Sequence, residues 1–114
     1  MYNEHKIMGM TPMPETVTIL GTIYSVDVLT EEQDPKLETR DGYIDTTVKQ
    51  MVLAAIRDRG KGSIKKPEHY QAKVFRHEIM HILFEESGLA CYSEDEVLVD
   101  FLASQLPKII HYLK

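Results

Sequence analysis

Residues 67–88 constrain this chain more than any other stretch. Ala72, Phe75, Ile79, Ile82 and Leu83 recur at three- and four-residue steps, the repeat of a helix with one apolar face. Pro67 suits the first helical position, Glu68 is favourable in the first turn, and Gly88 is placed to end the helix in a left-handed cap. Within this helix His77 and His81 stand four residues apart, roughly opposite Ile79. Both imidazoles therefore share a face turned away from the packed stripe, toward a cleft or solvent.

The remaining segments supply partners for that stripe. Val17, Ile19, Ile23, Tyr24, Val26 and Val28 alternate with polar residues from Thr16 to Asp27, so this region reads as extended. Gly21 marks a turn or bulge in it, which allows one long bent strand or a hairpin. Residues 31–40 are charged, and Asp34-Pro35 predicts a turn followed by about one helical turn. Asp41-Gly42 leads into Tyr43-Ile44-Asp45, and the apolar run of residues 48–56 is a strand candidate buried on both faces, although Ala54 and Ala55 weaken it. Residues 57–66 form a basic, glycine-bearing loop. No aromatic residues interleave its charges, so a solvated connection fits better than a phosphate-binding role.

After Gly88, Ser93-Glu94-Asp95-Glu96 opens a second helix, in which Val97, Leu98, Phe101, Leu102 and Gln105 mark one largely apolar face and Glu96, Asp100 and Ser104 another. Pro107 ends or kinks it. The expected fold class is α+β: a small antiparallel sheet packed against the histidine-bearing helix and a second, C-terminal helix. At 114 residues with 43% apolar content, one domain is expected over residues 15–114, with residues 1–14 a loosely held lead-in.

Charge and hydropathy exclude several classes. A net charge of −5 argues against general binding to nucleic acid, and no apolar run approaches the roughly 20 residues of a membrane span. Glu4, His5 and Lys6 interrupt any secretory signal, and the lone Cys91 cannot form an internal disulfide, so a cytoplasmic location is expected.

His77-Glu78-Ile79-Met80-His81 has the spacing H-E-x-x-H, in which two histidines bind a metal and the glutamate handles water. A catalytic zinc site typically takes three protein ligands and keeps one position open. Glu85 and His69 cannot be the third, because three ligands along one helix would spread over about 12 Å. The next helix turns back alongside the first, which makes Glu96 the best candidate for a Zn2+ ligand. Asp100, one turn later, would accept the outer N–H of a ligating histidine. An alternative remains for Glu96: with Ser93 it also forms a capping-box pattern, a purely structural role. Cys91 could add thiolate or be a bystander. Tyr92, His111 and Tyr112 are all candidates to stabilise an oxyanion.

H-E-x-x-H followed by Glu96-Val97-Leu98-Val99-Asp100 resembles the gluzincin pattern of thermolysin-type peptidases. A closer resemblance is to the short, phage-associated members of the ImmA/IrrE-type metallopeptidases. Residues 18–26, 41–45, 76–81, 86–89 and 96–103 carry it. It implies a protein or peptide substrate, such as a regulator in a phage or mobile element, with His77, His81 and Glu96 as zinc ligands and Asp100 supporting a histidine. The gap from His81 to Glu96 is shorter than in full-size members, and their extra helices have no counterpart. Glu78 would be the catalytic base, and an edge of the strand at residues 48–56 would align an extended peptide. The competing expectation is a non-catalytic, zinc-stabilised binding or regulatory module, since a metal can supply much of a small domain's folding free energy.

Overall fold

The computed structural model describes residues 13–55 and 67–113. Residues 1–12 of the expected lead-in and the basic loop at 57–66 lie outside the described residues. The fold class is α+β.

Strand β1 (Thr16–Ile19) and strand β2 (Thr22–Leu29) form a hairpin. Leu20 and Gly21 both have positive φ, 51° and 86°, as a two-residue turn matched to strand twist requires. Of the two options open at Gly21, the turn is the one realised. From β2 the chain runs through a 3-10 turn at Pro35–Glu38, capped by Asp34, to β3 (Gly42–Asp45) and then β4 (Gln50–Ala54). Asp45 accepts from the backbone of Thr47 at 3.0 Å and organises the turn between them.

The sheet order is β1-β2-β4-β3. Its two outer pairings are antiparallel as expected, but β2 and β4 run parallel, so the sheet is mixed rather than antiparallel. The connection over residues 30–41 is long enough to carry the chain past one strand position, and β3 then folds back to insert β4 beside β2. As a result β4 is central. Met51, Val52, Leu53 and Ala54 are all buried, which accounts for its unbroken apolar run. Leu37 from the connector covers one face of it, and the small Ala54 packs there.

On the other face Tyr24, Val26, Val28, Met51 and Leu53 meet Val74 and Ile82 of helix α1 (Pro67–Glu86). Met13, assigned above to the lead-in, is part of this core. Helix α1 is covered again on its far side, where Met80 and Phe84 pack on Val99 and Ala103 of helix α3 (Glu96–Ile109). The result is three layers, sheet, α1 and α3. Burial on two sides explains why α1 conceals more than the single expected stripe, including Gln71 and Glu78.

The face of α3 differs from expectation. Val97 and Phe101 point outward, while Val99 and Ala103 are buried with Leu98, Leu102 and Leu106 beside them. Pro107 sits inside α3 without ending it. Among the described residues no helix is long and apolar enough to cross a membrane.

Candidate metal centre

Gly88, with φ of 80°, ends α1, and the Leu89 N–H reaches back to the Phe84 carbonyl at 2.9 Å, a Schellman closure. The chain then makes helix α2 (Ala90–Ser93), a single turn that leaves Ser93 buried against α1. Asp95, not Ser93, caps α3, its carboxylate accepting from the Leu98 N–H at 3.0 Å. The capping box read into Ser93 and Glu96 is not formed. Glu96 begins α3 and extends toward α1 instead.

Its carboxylate meets both histidines. Oε1 lies 2.9 Å from His77 Nε2, Oε2 lies 3.5 Å from His81 Nε2, and the two Nε2 atoms are 3.1 Å apart. One ligand atom from each residue falls within 4.8 Å of the others. Two nitrogens bound to a tetrahedral zinc at about 2.0 Å are separated by roughly 3.3 Å, so the spacing suits such an ion.

The other ring nitrogens are held from outside. His77 Nδ1 lies 2.7 Å from Asp100 Oδ1, and His81 Nδ1 lies 2.7 Å from Ser93 Oγ. A carboxylate can only accept, so His77 carries its proton on Nδ1 and turns the Nε2 lone pair inward. Where His81 donates to Ser93, its Nε2 lone pair turns inward as well. Burial also holds the His81 pKa below the usual histidine value, against the upward pull of Glu96, which keeps its nitrogen free to bind a cation. Three acceptors thus converge on one point. They repel one another unless positive charge lies among them, and a divalent cation satisfies all three at once.

These residues open onto a cleft of about 590 Å³, walled on one side by α1 and on the other by β3 and the loop before it. Glu78 lines it although the residue is only 5% exposed. Burial raises the Glu78 carboxyl to about 7 and Glu96 adds to this, while His77 and Arg40 pull it down. Arg40 also lines the cleft.

No protein-family model, curated protein or solved structure matches this chain.

All five site residues inferred from spacing lie together: His77, His81, Glu96, Glu78 and Asp100 line one cleft. Cys91 is exposed and does not join the group. The three residues named for an oxyanion do not reach it either. Tyr92 sits against Phe84, and His111 pairs with Tyr112 near the end of the chain. Tyr43, Tyr70 and Arg40 line the cleft instead. The strand expected to align a peptide, β4, has neighbours on both edges, so that expectation fails, and β3 is the edge strand beside the cleft. Ser93 was missed because its local pattern spelled a helix cap. Its distance of twelve residues from His81 is no motif.

Proposed function

We propose that this protein is a zinc-dependent metallopeptidase of the small ImmA/IrrE-like kind, hydrolysing a peptide bond in a protein or peptide. The observation that carries the reading is the convergence of His77 Nε2, His81 Nε2 and the Glu96 carboxylate, with Glu78 buried beside them in the same cleft. Three protein ligands without Cys91 fit a catalytic site better than a closed structural one. A zinc ion held there would supply Lewis acidity, polarising the scissile carbonyl and acidifying water.

The chain's own residues account for the rest. Glu78 accepts the proton of the attacking water and delivers it to the leaving amine as the C–N bond breaks. Asp100 and Ser93 hold the two imidazoles in one tautomer and orientation. The outer edge of β3 can take an extended segment by strand addition, laying it along the cleft. A regulator encoded in a phage or mobile element remains the proposed substrate, in a reducing, cytoplasmic setting that suits the unpaired Cys91.

The test is zinc content by mass spectrometry together with cleavage of a mixed peptide library. Wild type should bind one zinc and cleave, His77→Ala should lose both, and Glu78→Gln should keep the metal and lose cleavage. Zinc binding with no cleavage by wild type would favour the non-catalytic module, and a chain that takes up no zinc would overturn both readings.

A further inference from the structure

The cleft differs at its two ends. His81 and Glu96 stand at one end, Tyr70 and Lys73 at the other, on the α1 side. Lys73 precedes His77 by four residues, so it occupies the same helix face one turn away, with about 5–6 Å between Cβ atoms. The loop before β3 closes onto this end. The Tyr70 hydroxyl donates to Asp41, and a Cβ on Gly42 would lie 3.0 Å from Val74 Cγ1 and 3.1 Å from the Val52 carbonyl oxygen. Glycine thus lets the loop press against α1 at the residue next to Lys73.

The charges here are unevenly matched. Glu96 and Asp100 are engaged by the histidines and Asp41 by Tyr70. Lys73 is exposed, and among the described residues it pairs with no carboxylate. An anion entering the cleft at this end meets an available ammonium.

We infer that Lys73 forms an anion-binding subsite that takes a carboxylate of the peptide ligand one helical turn from the His77, His81 and Glu96 group. What the subsite serves rests on the peptidase reading; the binding of a carboxylate does not. The carboxylate can be an acidic side chain or a free chain terminus.

Glutaric acid monohydroxamate and its primary amide test the inference, because they share the metal-binding end and differ only in carboxylate against carboxamide. By calorimetry on the zinc-loaded full chain, the acid should bind about fivefold more tightly than the amide. Lys73→Gln should abolish that difference, and Lys73→Glu should reverse it. Equal affinities in wild type, or a preference untouched by Lys73→Gln, would overturn the subsite. Zinc titration of the same samples reads the metal centre separately. Should zinc fail to bind, glutarate alone must still shift the Lys73 side-chain NMR signal in wild type, and no shift would overturn the subsite on its own. Two peptides on the Glu78→Gln protein then separate the sources: acetyl-Ala-Ala-Asp-Ala amide carries only a side-chain carboxylate, and acetyl-tetra-alanine only a terminal one. Lys73-dependent binding of either supports the subsite, and of neither refutes it.

Discussion

Ser93 Oγ lies 2.7 Å from His81 Nδ1, and this contact ties the short helix α2 to the inner face of α1. It gives the second histidine the kind of outer partner that Asp100 gives the first. Such partners orient a ligating ring and raise its basicity. Ser93→Ala should therefore weaken zinc binding by about tenfold or more, as read by competition with a chelator. Ser93→Thr should recover part of it. An unchanged zinc affinity in Ser93→Ala would reduce the contact to packing.

Asp95 and Glu96 are neighbours with separate work. Asp95 caps α3, so Asp95→Ala should cost about 1 kcal/mol in urea unfolding and leave the zinc affinity near wild type. Glu96 reaches the histidines, so Glu96→Ala should lose zinc while changing the stability of the metal-free chain little. If the two variants exchanged these effects, the assignment of cap and ligand would have to be reversed.

Glu86 fastens the end of α1 to the sheet. Its carboxylate accepts from Thr22 Oγ1 at 2.9 Å, Tyr24 Oη at 2.8 Å and Lys49 Nζ at 3.1 Å. These hydrogen bonds, from Tyr24 first and then Thr22 and Lys49, hold its pKa below the usual glutamate value. A carboxyl depressed in the folded state contributes stability above its unfolded pKa of about 4.3 and loses it as pH falls through the folded value. Urea unfolding of wild type and Glu86→Gln should thus differ at neutral pH and converge in acid. A gap that persisted at the lowest pH would show that the ionised carboxylate is not its source. The same contact acts on the partner, since burial first and Glu86 second push the Tyr24 phenol well above its ordinary range.

Leu37 is fully buried although it belongs to a short turn in a charged connector, because it covers the outer face of β4 at Val52 and Ala54. Leu37→Ala should cost about 3 kcal/mol in equilibrium unfolding through lost burial and the cavity left behind. A change below about 0.5 kcal/mol would mean that the connector does not seal this face.

The pairing of His77 with His81, and of Glu96 with Asp100, was legible in the sequence because helical side chains repeat at fixed angles, so spacing says which residues share a face of one helix. The cap at Gly88 and a doubly buried strand within residues 48–56 were legible for a similar local reason, backbone sterics and an unbroken apolar run, while Gly21 left a hairpin and a bent strand both open. What spacing could not reveal was which segments close on one another. The parallel pairing of β2 with β4, the edge position of β3 and the outward turn of Val97 and Phe101 all depend on where a long connector crosses the sheet and where α3 lies on α1. Ser93 at His81, and Glu86 at Thr22 and Tyr24, are contacts that no local repeat announces. The sequence by itself determined which polar side chains share a face of α1 and which share a face of α3. Only the tertiary structure decided which neighbours hold those groups and what wall they face, because such contacts come from packing three layers together rather than from any repeat along one of them.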